Sequence, residues 1–175
     1  MKERLHSRKI TIDTFAAGEN MILVEGTLED ERFRTPKADS HEETVVPKIV
    51  HYLVARMTLS LPELKIVHLE ADMPVVPHAT CPEIKDAVQK LEGMEIRHGF
   101  TDEVKRRFGN TEGCLHLMNL ILSMGSAAVQ GMWSYYAQKS RDSGVKRPKA
   151  SEEMLLDTCW VWRQDGPFAR RLKEK

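Results

Sequence analysis

Residues 49–83 read IVHYLVARMTLSLPELKIVHLEADMPVVPHATCPE, and the fold turns on how this stretch changes character. Residues 49–59 are rich in Val, Ile, Tyr and Leu and predict a strand. Ser60-Leu61-Pro62-Glu63 is turn material. Residues 64–73 predict the next strand, with Ile66, His68, Glu70 and Asp72 on one face and Val67, Leu69 and Ala71 on the other. Pro74 and Pro77 then end the sheet region, because proline cannot donate to a ladder. Thr80-Cys81-Pro82-Glu83 has the form of a helix start: an N-cap Thr, a Pro in the first turn and a Glu three residues on.

Working outward, the same contrast holds. Upstream, residues 8–13 alternate polar and apolar, 17–20 form a turn, and 21–28 (MILVEGTL) predict a strand with a bulge at Gly26. Residues 35–43 are polar and read as a loop. Downstream, the helix from Thr80 runs to Leu91 with Gly93 as its stop. A short helix follows from Thr101 to Gly109, and a long one is capped by Asn110-Thr111-Glu112 and runs to about Gln138. Residues 139–149 read as a basic exposed loop, and Ser151 caps a last helix. Short connections favour an antiparallel meander. The predicted class is therefore α+β: an antiparallel four-stranded sheet, then about four helices packed on one face. Residues 1–175 are read as a single domain, with a β-meander half at 1–74 and a helical half at 80–162.

Composition excludes several classes. Lys plus Arg number 26 and Asp plus Glu number 26, so zero net charge gives no reason to expect nucleic acid or an anionic membrane. Residues 113–138 carry no formal charge, yet His116, Asn119, Gln130 and several Ser make a bilayer span costly, and a buried central helix fits better. Three Cys, and no apolar run after the basic start MKERLHSRKITI, point to a reducing cytoplasm. No phosphate loop, dinucleotide fingerprint, nucleophile elbow or H-E-x-x-H motif is present.

The long helix is apolar nearly all round, and Gly125, Ser126, Ala127, Ala128 and Gly131 are small. Ordinary packing inside one chain explains this, and a homodimer across residues 113–138 is the sharper expectation.

The compact chemical motif is Gly113-Cys114-Leu115-His116-Leu117. A Cys at a helix N-terminus is favoured as thiolate by unpaired N–H groups. Residues two apart on a helix point about 200° apart. Cys114 and His116 therefore converge only if Cys114 sits at the cap. Cys81, Cys114, His116 and Cys159 form a candidate Cys3His metal set, but their spacings of 33, 2 and 43 residues lack a tight zinc knuckle. The plainer reading is three small buried apolar side chains. Among polar residues on the strands, Glu25, Asp30, His51, His68 and Asp72 stand out. An antiparallel sheet with one wet face accounts for each. His51, flanked by Ile49, Val50, Leu53 and Val54, is the most suggestive.

Together these motifs resemble the bacterial domain of unknown function 2889 family. The matching residues are Arg8 and Ile10; Glu25, Gly26, Leu28, Asp30 and Arg32; His51; Pro77, Cys81 and Pro82; the Gly113–Leu117 motif; and Cys159. Leu115 stands where the family motif has Thr, which removes a hydroxyl from any mechanism that would use one. The resemblance implies that Cys81, Cys114, His116 and Cys159 act as a set. A fainter likeness, in a different element order, is to iron–sulfur scaffold proteins.

Three functions follow as expectations. The first is a metal-binding protein holding zinc or an iron–sulfur cluster through Cys81, Cys114, His116 and Cys159. The second is a small catabolic enzyme with Cys114 as nucleophile, or with His116 or His51 as acid/base, acting on a thioester or carbonyl. The third is a non-catalytic homodimeric assembly module.

Overall fold

The computed structural model describes residues 2–33 and 48–173. The polar loop expected at 35–43 lies outside the described residues. Four strands come first: β1 (His6–Ala16), β2 (Met21–Arg32), β3 (Lys48–Ser60) and β4 (Lys65–Val75). They form one sheet in the order β1-β2-β3-β4, with every neighbouring pair antiparallel. Helices α1 (Phe100–Phe108), α2 (Leu115–Ser143), α3 (Ala150–Glu153) and α4 (Pro167–Lys173) follow, with 3-10 segments between them. The α+β class is as the sequence predicts.

The inner face of β2 carries Ile22, Val24, Leu28 and Asp30, all buried. β3 adds Leu53, Ala55, Met57 and Leu59 to the same layer. The outer face is polar, and there Arg56 lies 3.3–3.5 Å from Glu25, Glu70 and Asp72. On β4 the predicted faces change partway. Ile66 is buried together with Leu69, Ala71 and Met73, while Val67 and His68 are both exposed. The reason is a bulge: Thr58 pairs with His68 but Leu59 with Ile66, so the extra residue resets the alternation.

Gly26 holds no bulge, because it pairs in register with Ile12 and Ala55. Its role is space. A Cβ there would lie 2.8 Å from Met124 Sδ and 3.0 Å from Leu120 Cδ1, so the missing side chain lets α2 lie against β2. Leu117, Leu120, Ile121, Met124, Ala128 and Met132 are buried within the chain. Two of the small residues behind the dimer expectation have partners within the chain: Gly125 abuts Phe100, and Gly131 abuts Thr14, while Ser126 is exposed.

Element ends differ from the sequence reading in physical detail. Residues Cys81–Leu91 form a 3-10 helix, and the Thr80 side chain makes no cap hydrogen bond. Asn110–Glu112 is a 3-10 turn, and the N-cap of α2 is Cys114. α2 continues to Ser143, past the expected end near Gln138. Gln138 donates to Asp142 at 2.8–2.9 Å, and Gly144 at φ 70° closes the helix by donating its N–H to Ser140 O. Ser151 is buried inside the short α3, its hydroxyl donating to Pro148 O. No helix among the described residues is long and apolar enough to cross a membrane.

The hairpin turn between β1 and β2 is tied to α2 by Tyr135, whose hydroxyl accepts from Asn20 N–H at 2.8 Å. Tyr135→Phe is expected to cost about 1 kcal/mol, since it strands that amide. Urea unfolding checks this, and an unchanged midpoint would show that the hairpin does not depend on the contact.

Candidate functional site

The site forms where one row of the sheet passes under the start of α2. Cross-strand register sets Arg8 opposite Asp30 and Asp30 opposite His51. All three belong to the inner face. Asp30 is in phase with Val24 and Leu28, so its carboxylate points into the protein and is 2% exposed. Just beyond, Glu31 pairs with Ile49 and Val50 is left over, a bulge that closes the row.

Asp30 is densely partnered. Arg8 donates from Nε to Oδ1 at 2.7 Å and from Nη2 to Oδ2 at 2.8 Å. His6 Nε2 lies 3.2 Å from Oδ1, His51 Nδ1 3.1 Å from Oδ2, and His116 Nε2 3.7 Å from Oδ2. The rings of His51 and His116 face each other with centroids 3.9 Å apart and planes tilted by 31°. Cys114 Sγ lies 3.9 Å from His116 Nδ1.

That last contact meets the condition set by helix geometry. Cys114 has φ −108° and ψ 126°, so it is extended and caps the helix rather than belonging to it. Its thiol can then turn toward a histidine two residues on. Gly113 allows this close entry, because a Cβ there would run into the Phe108 carbonyl and ring.

The electrostatics follow from burial and charge. Burial by itself pushes the Asp30 carboxyl up, but the Arg8 hydrogen bonds and charge, with His51 and His6, outweigh it and hold the group at about 2. Asp30 is therefore an acceptor only, so with no metal between them the 3.1 Å contact needs the His51 Nδ1–H tautomer, whereas a metal on Nδ1 needs that proton on Nε2. Burial lowers the pKa of His51, with Asp30 opposing and Arg8 and Arg32 reinforcing. Burial also lowers His116, reinforced by His51 and Arg8. Both rings are thus neutral at pH 7, with lone pairs available.

Among the described residues, Asp30, His51 and His116 offer ligand atoms that all lie within 4.8 Å of one another. The structure also brings Cys114 to His116. Cys81 and Cys159 are outside this group. Cys81 is half-buried against the core at the start of its 3-10 segment. Cys159 is exposed and borders a separate cavity. The sequence does not single out His6 or Arg8 as site residues, and a one-sided sheet predicts a wet face for Asp30, whereas the carboxylate is buried. The signal for Asp30 was its phase with Val24 and Leu28, which put a carboxylate on an apolar face.

The fold and site define an α+β protein whose sheet and central helix enclose a buried carboxylate beside two neutral histidines and a cysteine. The family model described as protein of unknown function (DUF2889) matches residues 6–130, more than half of the chain. The chain belongs to that family. No curated protein and no solved structure matches it.

Proposed function

We propose that this chain binds a divalent transition metal through Asp30, His51 and His116, with Cys114 adjoining. The observation that carries the reading is the closeness of three ligand atoms from three separate elements. Asp30 Oδ2 is 3.1 Å from His51 Nδ1 and 3.7 Å from His116 Nε2. The edge of a tetrahedral site with metal–ligand bonds of ~2.0–2.1 Å is about 3.3 Å, so these separations bracket it. Neutral imidazoles are the form that metals bind, and the pKa directions of both histidines supply it. Nitrogen and carboxylate donors, with a thiol beside them, suit zinc or ferrous iron. The donor set differs from the Cys81, Cys114, His116 and Cys159 set expected from the sequence, and it shares His116 and Cys114 with it.

The test is cobalt titration of the metal-stripped protein, with elemental analysis of protein purified without chelator. One metal per chain is expected, with loss of at least about tenfold in affinity in His51→Ala and His116→Ala. Cobalt bands that neither variant alters would overturn the reading. Cys114→Ser reports separately on the thiol, since only a ligating thiolate gives a sulfur-to-cobalt charge-transfer band.

A second reading rests on Cys114 Sγ lying 3.9 Å from His116 Nδ1 while His116 Nε2 lies 3.7 Å from Asp30. This is a nucleophile–base–carboxylate chain suited to acyl transfer from a thioester. It requires alkylation of Cys114 in metal-free protein that slows when His116 is replaced by Ala.

A further inference from the structure

A cavity of about 690 Å³ opens beside the middle of α2, starting at Leu122, six residues beyond His116. Ser126 and Val129 on its wall are ten and thirteen residues beyond His116, or ~15–20 Å along the helix at 1.5 Å per residue. Its size is within the range of pockets that take small organic molecules, ~300–1,000 Å³.

The cavity has two unlike walls. One is the middle of α2 with the start of α1. The other is Met154, Leu155, Thr158, Cys159 and Trp162. The second wall lies outside residues 6–130, whereas every residue of the Asp30 site lies inside them. The family's matched region thus builds the buried cluster, and a later segment of this chain closes the cavity.

The lining indicates the ligand chemistry. Phe100, Trp133 and Trp162 supply aromatic surface, and the two indoles meet edge-on with centroids 6.2 Å apart. Leu122, Val129 and Met154 add aliphatic surface. Aromatic walls favour a flat ring system through offset and edge contacts. The rim carries Arg97 and Asp102, of opposite charge, and Arg97 is already 3.4 Å from Glu95. His98 lies between Arg97 and Asp102 in the chain and also lines the cavity, so Arg97 and Asp102 cancel and the fixed charges leave no net positive charge to hold an anion. Burying an unpaired carboxylate or sulfonate against these walls would be costly. The Ser126 and Thr158 hydroxyls already donate to Ser123 O and Leu155 O, so they offer acceptor lone pairs to a ligand, and Gln130 adds an uncharged amide.

We propose that this cavity binds an uncharged polycyclic aromatic molecule bearing a hydrogen-bond donor. The site is independent of the metal reading, and its test uses no metal.

The probe is N-phenyl-1-naphthylamine, an uncharged fluorophore with one N–H. Its counterpart is 8-anilinonaphthalene-1-sulfonate, the same ring system with an added sulfonate. Titration of the full chain is expected to show saturable 1:1 binding of the neutral probe, at least about tenfold (1.4 kcal/mol) tighter than the sulfonate. Saturating neutral probe should also slow iodoacetamide labelling of Cys159, read by peptide mass spectrometry. Two filling variants, Ser126→Trp on α2 and Thr158→Trp on the opposite wall, both replace exposed residues. Each should weaken neutral-probe binding at least about tenfold with an unchanged circular dichroism spectrum. Non-saturable binding, equal or tighter sulfonate binding, unprotected Cys159, or normal affinity in both folded variants would each overturn the proposal. If one variant fails to fold, the other and the Cys159 protection decide.

Discussion

Asp30→Ala is expected to destabilise the protein by about 3 kcal/mol and to abolish metal binding. The carboxylate is buried, and removing it leaves Arg8 and His51 without their acceptor in the space between sheet and α2. A broken buried ion pair costs ~3–5 kcal/mol, and the lower end applies because Arg8 is one-third exposed and can turn toward water. Urea unfolding measures the loss. The acid limb supplies a second readout. The folded carboxyl sits at about 2 and an unfolded Asp at about 3.9, so its contribution is complete above about pH 4 and is lost as pH falls through about 2. His51 and His116 also have lowered folded pKa values, so their contribution declines as pH falls below the unfolded histidine value of ~6.5. Asp30→Asn should flatten the dependence between pH 4 and pH 2 and deepen the histidine limb, because the Asp30 charge raises the pKa of both His51 and His116. An acid limb as steep in Asp30→Asn as in the parent would show that Asp30 is not held by Arg8 in solution.

Gly113→Ala should be nearly as damaging, at about 2–3 kcal/mol, although it adds one methyl group. The backbone there is extended, with φ −164°, so conformational freedom is not the issue. Space is. The new Cβ would meet the Phe108 carbonyl oxygen and lie 2.6 Å from the ring at Cδ2, and Phe108 is fully buried. The chain must move where it enters α2, which carries Cys114 and His116 away from Asp30. Cobalt affinity should therefore fall in step with stability. An alanine variant as stable as the parent, with unchanged cobalt affinity, would show that the close entry of α2 does not position the histidine. Gly26→Ala is a milder comparison, because its new methyl meets the flexible Met124 side chain rather than backbone.

These two positions also mark what could be read from the chain. The strands were legible because alternation with period two is local, and the helices because caps and glycine stops are local. The conditional about Cys114 was legible too, since helix geometry alone says it must cap if it is to meet His116. The resemblance on Arg8, Asp30, His51 and the Gly113–Leu117 motif names the family that the family model matches over residues 6–130. The phase of Asp30 with Val24 and Leu28 was present in the sequence but outweighed by the expectation that a carboxylate on a one-sided sheet faces water.

By itself the sequence determined a four-stranded antiparallel sheet followed by helices, because hydrophobic period and turn chemistry act over a few residues. Only the tertiary structure decided which polar groups meet. His51 faces Asp30 through cross-strand register, and His116 joins them because Gly26 and Gly113 let α2 settle against the sheet. Cys81 packs against the core from its own 3-10 segment and Cys159 borders the separate cavity, so neither joins that site. Register and docking are set by contacts between residues tens of positions apart, and local propensity carries no record of them.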